Sequence, residues 1–503
     1  MLLPSCRRKL EADTTHLRRA TAARQLPNDM KHYLNFINNQ WVPSAEGLTF
    51  PVGNPATEDV VANVSAASTA QALQACNSAA LAQRAWRKLT SVERGACLHK
   101  LADALLARKD AIGAALALES GKSLEDACFE AVYAAEVTRY HAEWARRVEG
   151  EIIPSDSPRE NLMLHREPMG VVACLIPFNY PVYTLLRKIA PALITGNTVL
   201  VRPSNNTPCS AFEIAHAVLD AGLPPGVVNI LTMGHAEAQA MCTHPKVAMI
   251  TLTGGVAAGR RVLDYSKTNI AKSSLELGGK TPAIVAADTD LDQAASDIVR
   301  SKTTNCGQLC TAVERVYVQR TVHDTLVDKL RSQLAARQFG DRAQDASRMG
   351  PLISASSRQT IHDMVLRAVA AGARLECGGV MPEGRGFFYP PTLLTHVRQD
   401  AEIVQEEVFG PVLCVLPYDT IDDALQMASD HQFGLASVLY TNDYRQVMQA
   451  GNEIEAGELY INRTPADPYQ GYHAGWKRSG LGGDDGKHGM LEFTQTRLVV
   501  MAY

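Results

Sequence analysis

A chain of 503 residues is too long for one ordinary hydrophobic core, so two or three domains are expected. Its 46% hydrophobic and 20% charged residues and formal net charge of −4 suit a water-soluble globular protein and give no basic excess for nucleic acid. The apolar run Gly170–Ile176 is cut by Pro177, Asn179 and Pro181 and is too short to span a bilayer, so no membrane partner is expected.

The 11 cysteines are scattered, without the short paired spacings of a zinc site or a secreted disulfide scaffold, which predicts a reducing, cytoplasmic setting. Cys306 and Cys310 are the one close pair, and without a second pair or nearby histidines they are poor metal ligands. No metal is expected. Residues 1–30 carry arginines against a few acids and lack an apolar h-region. They read as a disordered extension or an early start codon, with a transit peptide weakened by the acids.

From Tyr33 to about Ala67, short apolar segments broken by Gly53 and Asn54-Pro55 read as strands and turns. Helices follow over Thr69–Gln83, with Ser68 as cap, Ser91–Arg108, Asp110–Ser120 and Leu124–Val148. Residues 151–168 look like an extended excursion. Strand and helix then alternate: Val171–Ile176, Tyr183–Leu193, Asn197–Val201, Ser210–Ala221, Val227–Leu231, Ala236–Thr243 and Ala248–Leu252. Such alternation builds a parallel sheet with helices on both faces and ligands at the carboxyl ends of its strands. A second block holds strands at Pro282–Val285, Val316–Val318, Val412–Leu416 and Glu458–Asn462, with helices at His323–Arg337 and Ser357–Ala371. The tail Arg497–Met501 is a short strand with no evident home in its own core.

Three stretches carry chemistry. Gly307-Gln308-Leu309-Cys310 offers a thiol, which alone reads as a small core residue and in company as a nucleophile. Leu275-Glu276-Leu277 sets a carboxylate between leucines, either a surface acid or a general base raised by its apolar surroundings. Pro177-Phe178-Asn179-Tyr180-Pro181 holds an amide that is a turn former or an oxyanion donor. Thr253-Gly254-Gly255, with Gly259 beyond, is a turn that could seat a phosphate at a helix start, though it is not the dinucleotide fingerprint.

Together with Leu275–Lys280, 30 residues before Cys310 counted from its lysine, and Glu406-Glu407-Val408-Phe409-Gly410-Pro411 downstream, these motifs resemble the aldehyde dehydrogenase family from about residue 31 to the end. Glu276 and Cys310 are 34 residues apart and Glu407 lies 97 beyond, in the family's order. The resemblance makes Cys310 the nucleophile, Glu276 the base and Asn179 the oxyanion donor, with NAD as cofactor. It assigns the cofactor to Ile176, Pro177, Arg202, Ser204, Asn205, Gly254, Gly255, Gly259, Leu277, Glu407 and Phe409. The fold implied is α/β, aldehyde dehydrogenase-like. It has a Rossmann-type NAD(P)-binding domain (31–150 and 169–278), an α/β catalytic domain (279–478) and a small oligomerisation β-extension (151–168 and 479–503). The assembly expected is a homodimer or homotetramer.

Gln470-Gly471-Tyr472-His473-Ala474-Gly475-Trp476 and Gly482–Gly489 are similar to the lactaldehyde and glycolaldehyde dehydrogenase branch. In that branch Arg187, Thr311, Asp467 and His473 match a polar substrate pocket, implying a small hydroxyaldehyde. Two departures bear on the cofactor. Asn205 stands where the family has a glutamate that repels a 2′-phosphate, which opens NADP, and Gly255 lacks a hydroxyl toward the pyrophosphate. Rival readings are a succinate-semialdehyde or other aldehyde dehydrogenase, a coenzyme A-acylating enzyme, and a structural member without catalysis. Cys306 is expected to be packing, one turn from Cys310 if the segment is helical, or a disulfide partner for it under oxidation.

Overall fold

Val171–Leu175 is buried at every position, the pattern of a parallel strand covered on both faces. In the computed structural model, which describes residues 31–503, it sits at the middle of an eight-stranded sheet among the described residues. The expected extension, residues 1–30, lies outside the described residues. Lys272–Glu276, Val247–Thr253, Val171–Leu175, Thr198–Arg202 and Val228–Ile230 run parallel in that order. From Val171–Leu175 the chain moves outward one way through two strands, then returns to the other flank at Val247–Thr253. The order therefore reverses beside Leu175, and a crevice opens at the carboxyl ends of these strands.

A second sheet of seven strands among the described residues runs Arg374–Cys377, Thr392–Thr395, Val412–Tyr418, Arg315–Gln319, Pro282–Val285, Ala436–Tyr440 and Glu458–Ile461. Only its Arg374–Cys377 edge is antiparallel. The strand Ala436–Tyr440 and the helices Leu291–Thr303, Ile421–Ser429 and Tyr444–Glu453 were not anticipated from the sequence. They are short or lie between stronger signals.

Most helix ends follow local chemistry. Thr69–Trp86 is capped by Ser68, whose hydroxyl accepts from Gln71 while the Gln71 side chain reaches back. Ser91–Ala107 starts at the expected residue and is capped by Thr90, because Glu93 three residues on completes the same reciprocal pair with Thr90. The single helix expected over Leu124–Val148 stops at Ala142; a tighter turn, Glu143–Arg146, follows and sets Trp144 edge-on to Tyr140.

The tail does have a home in its own chain. Thr494–Ala502 pairs antiparallel with Glu160–Pro168 over nine residues, and Glu151–Ile153 adds a third strand. Ile152, Leu498, Val500 and Met501 on this small sheet are exposed. Gly480–Leu481, expected in the oligomerisation segment, instead pairs with Leu275 and Glu276 as an edge of the first sheet. Its backbone closes the strand that carries the glutamate.

Deleting residues 494–503 removes the partner of Glu160–Pro168. Amide hydrogen exchange over 165–168, which do not pair with Glu151–Ile153, is expected to rise to nearly unprotected rates while the central strand 171–175 stays protected. Unchanged protection over 165–168 would show that the pairing contributes nothing.

Candidate active site

The stretch that carries Cys310 is not a continuous helix. Leu291–Thr303, capped by Asp290, gives way to Asn305, Cys306 and Gly307 with φ of 48°, 57° and 71°. The left-handed run breaks the expected helical turn. Gly307 is required there, since a Cβ would fall 2.4 Å from the Gly410 carbonyl oxygen. Cys306 is fully buried in the cluster that contains Ile284, Tyr317 and Leu394, whereas Cys310 is half-buried and both are free thiols. Packing is thus the role the fold gives Cys306.

Glu276 ends its parallel strand and is 2% exposed. Beyond it, a Cβ on Gly279 would lie 2.4 Å from the Cys310 carbonyl oxygen, and one on Gly278 would lie 2.2 Å from Glu407 Oε2. The glycine pair thus lets the nucleophile loop and Glu407 close on the strand end. Asn179 is buried and its Nδ2 donates to the Gln308 carbonyl at 3.0 Å, while Asn305 Nδ2 donates to the Asn179 carbonyl at 3.2 Å. The sequence-predicted trio is therefore brought together at one place: the Cys310 thiol and Glu276 carboxylate are within 4.8 Å of each other, and Asn179 is bonded into the Cys310 loop.

What holds these loops is a group the sequence reading did not single out. Glu314 accepts from Lys280 Nζ at 2.6 Å and from Lys302 Nζ at 3.1 Å, all three side chains being buried. Its oxygens also accept the backbone N–H groups of Val408 at 2.9 Å and Phe409 at 3.0 Å. Burial opposes the Glu314 charge, yet Lys280 and then Lys302 hold its carboxyl down to about 2. Glu407 next door accepts from Gly279 N at 3.0 Å, and burial followed by the Glu314 charge pushes it up to about 8. Lys280 closes the Leu275–Lys280 motif, and Glu314 lies just past the Cys310 motif. The signal was their equal four-residue offset from Glu276 and Cys310.

On the other side of Cys310 lies a buried charged wall. His473 directs Nδ1 at Glu458 (2.9 Å) and Asp467 (3.6 Å), and its Nε2 lies 3.3 Å from Glu276 Oε1. Among the described residues, neither that nitrogen nor the Glu276 oxygens have a hydrogen-bond partner. Burial works against a proton on His473, but Asp467, and Glu458 beyond it, outweigh burial and the nearby Arg187 and hold the imidazole well above its ordinary value. Arg187, 3% exposed in its side chain, pairs with Asp485 at 2.5 Å and faces Asp467 at 3.6 Å, while Lys188 binds Asp484 at 2.9 Å. Of the predicted pocket residues Arg187, Asp467 and His473 thus form one network, and Thr311 is buried next to Cys310. Glu458, Asp484 and Asp485 were missed as members. Tyr133, Tyr140, Tyr183 and Tyr469 pack in tilted pairs along this side at centroid distances of 5.1–5.5 Å.

The predicted cofactor residues fall at the carboxyl ends of three adjacent strands: Ile176 and Pro177 after Leu175, Ser204 and Asn205 after Arg202, and Gly254 and Gly255 after Thr253. The helix Val256–Asn269 starts at Gly255 without a side-chain cap. A Cβ on Gly259 would sit 2.7 Å from Leu277, so the helix packs tightly on the strand exit. Buried Arg202 Nε, Asn205 Oδ1 and Thr253 Oγ1 lack partners among the described residues, and space beside Gly255 is open. Unspent donors on Arg202 and Thr253, an acceptor on Asn205 and an uncapped helix start suit a phosphate-bearing nucleotide with its ribose hydroxyls. Phe409, at φ 52°, meets Phe178 edge-on at 5.9 Å at the inner end of this crevice.

Residues 41–499 match the family model described as the aldehyde dehydrogenase family. The chain belongs to that family. Lactaldehyde dehydrogenase of Escherichia coli (strain K12) is 43% identical over 93% of this chain and 98% of its own length. A solved structure of lactaldehyde dehydrogenase superposes with a TM-score of 0.93 at 42% identity, covering 94% of this chain and all (100%) of that one. D-glyceraldehyde dehydrogenase (NADP(+)) of Picrophilus torridus is 34% identical over 93% of this chain and 96% of its own length. As a family member the chain is an NAD(P)-dependent oxidoreductase of aldehydes. Among the described residues, no helix is long and apolar enough to cross a membrane.

Glu314→Gln leaves Lys280 and Lys302 buried without their counter-charge and is expected to cost about 3–5 kcal/mol in urea unfolding. The wild-type contribution is complete above the unfolded carboxyl value of 4.5 and fades as pH falls toward about 2. The difference between wild type and variant should therefore shrink below pH 4.5. A difference that is constant down to pH 3 would contradict the ion group.

Proposed function

We propose that the protein oxidises a small hydroxyaldehyde of the lactaldehyde or glycolaldehyde type to its carboxylic acid through a thioester on Cys310. The observation that carries the substrate class is the charge balance of the buried wall. Glu276, Glu458, Asp467, Asp484 and Asp485 face Arg187, Lys188 and His473, and each cation is already within 4.0 Å of a carboxylate. No positive charge is left for a substrate carboxylate, which counts against succinate semialdehyde. A neutral aldehyde with a neighbouring hydroxyl can use Asp467, His473 and Thr311 as partners, and the tyrosines limit its length.

Cys310 adds to the aldehyde carbon, and the developing oxyanion is received by the second N–H of Asn179 Nδ2, the first being held by the Gln308 carbonyl. A bound nicotinamide dinucleotide supplies the hydride acceptor. Arg202, Ser204 and Asn205 would hold its adenosine end, Gly254, Gly255 and the helix start its phosphates, and Glu407 with Phe409 its nicotinamide end. Ile176, Pro177, Gly259 and Leu277 would shape the crevice. Glu276, buried and with both oxygens unspent, takes a proton from the water that cleaves the thioester. Hydrolysis by Glu276 favours release of the acid over transfer to coenzyme A. The neutral Asn205 would admit NADP beside NAD. Residues 31–150 with 169–278 would form the cofactor domain and 279–478 the catalytic domain, and the three-stranded extension would join subunits of a homodimer or homotetramer.

The test is kcat/KM for lactaldehyde, glycolaldehyde, succinate semialdehyde and an aromatic aldehyde, each with NAD and NADP. The first two are expected to exceed succinate semialdehyde by roughly tenfold or more. The reverse order would sink the substrate reading.

Cys310→Ala should abolish oxidation while leaving cofactor binding intact. Glu276→Gln should keep one burst of reduced cofactor per site and lose turnover by roughly a hundredfold. Equal loss of burst and turnover would remove Glu276 from deacylation.

A further inference from the structure

We propose that His473 takes the proton of Cys310, so that the nucleophile stands as a thiolate paired with an imidazolium anchored by Glu458 and Asp467. The inference rests on Cys310 being the nucleophile of the proposed reaction and adds a residue to its machinery. The problem it solves is electrostatic. Burial first, and then the neighbouring Glu276 carboxylate, raise the Cys310 thiol, while His473 beside it acts in the opposite direction, and a neutral thiol is a poor nucleophile. A cation at the sulfur is needed, and most buried cations nearby are committed. Lys280 and Lys302 are held by Glu314, Lys188 by Asp484 and Arg187 by Asp485.

His473 is the group placed to act. Its ring nitrogen, the Cys310 sulfur and a Glu276 oxygen all lie within 4.8 Å of one another. Nδ1 is fixed at 2.9 Å by Glu458, with Asp467 at 3.6 Å, so Nε2 is the atom turned to the site, and it is buried without a hydrogen-bond partner. A histidine with one nitrogen oriented by a carboxylate and the other beside a thiol has the parts of an activated cysteine. In the step, the S–H bond of Cys310 breaks and an N–H bond forms at Nε2, with no change of oxidation state. The thiolate adds to the aldehyde, and it is again paired with His473 when the thioester is hydrolysed. Glu276 Oε1, 3.3 Å from Nε2, is the imidazolium's other neighbour, and the second Glu276 oxygen is left for water. The charged groups around the pair are Glu276 on its strand end, Glu458 on the last strand of the second sheet, Asp467 and Arg187 at the mouth, and Asp484 with Asp485 behind Arg187.

The test is the rate of alkylation of Cys310 by iodoacetamide between pH 5 and 9, read by mass spectrometry of the peptide containing it, with no aldehyde or cofactor present. Wild type is expected to keep a reactive thiolate below pH 7. His473→Asn is expected to move the half-point up by about one pH unit or more, which is about tenfold slower alkylation at pH 7. Glu458→Gln, which weakens the hold on the imidazolium, should move it in the same direction by less. Coincident profiles for wild type and a folded His473→Asn overturn the pair; if that variant does not fold, a coincident profile in Glu458→Gln does so. Because substrate is absent, a failed aldehyde panel leaves this result standing, and a coincident profile leaves the substrate reading standing.

Discussion

The site depends on one buried carboxylate, Glu314. Each of its oxygens accepts one ammonium and one backbone amide: Lys280 and Val408 on Oε2, Lys302 and Phe409 on Oε1. Four separate pieces of chain are tied there. Lys280 belongs to the exit of the Glu276 strand, Lys302 to the helix before the nucleophile, Glu314 to the segment after it, and Val408 and Phe409 to the loop beside Glu407. A buried ion group is costly unless its donors and acceptors are matched, and here they are. Phe409 keeps its left-handed backbone because the amide that must point at Glu314 is captured there.

Much of this was legible in the chain itself. Strand–helix alternation gave the parallel sheet, because strands buried on both faces are apolar at consecutive positions, as Val171–Leu175 are. Glu276, Asn179 and Cys310 were legible as candidates, and it was the family resemblance of their motifs that grouped them into one site. Glu314 was not, since nothing local marks an acid followed by Arg315 for burial, and it is the fold that buries both. Asp484 and Asp485 were hidden among glycines, and their partners Lys188 and Arg187 lie 296 and 298 residues away. The left-handed Asn305–Cys306 pair was equally hidden. Nothing local asks a non-glycine residue to adopt that conformation; the close approach of Gly307 to Gly410 does.

The two sides of Cys310 are built on opposite principles. Toward the second sheet, charges are satisfied in full, which makes a rigid frame. Toward the first sheet and the pocket, Glu276, His473 Nε2 and one oxygen each of Asp484 and Asp485 are buried with hydrogen-bonding capacity unused. Unmet polar groups cost stability, and they cluster where a reacting molecule would meet them. The rigid frame is what allows the other side to remain unsatisfied without collapsing.

The bond of Gly480–Leu481 to the Glu276 strand, with His473 and Asp485 on either side of it, has a consequence for synthesis on the ribosome. The central strands of both sheets lie before residue 462, but Asp467, His473, Asp484 and Asp485 of the pocket wall and the edge beside Glu276 come from residues 467–485. Contacts of such separation form late. A nascent chain can therefore carry the cysteine, the glutamate and the nucleotide crevice while its thiol still lacks the surroundings that tune it. The reactive centre is completed only when residues 467–485 have joined the folded sheets.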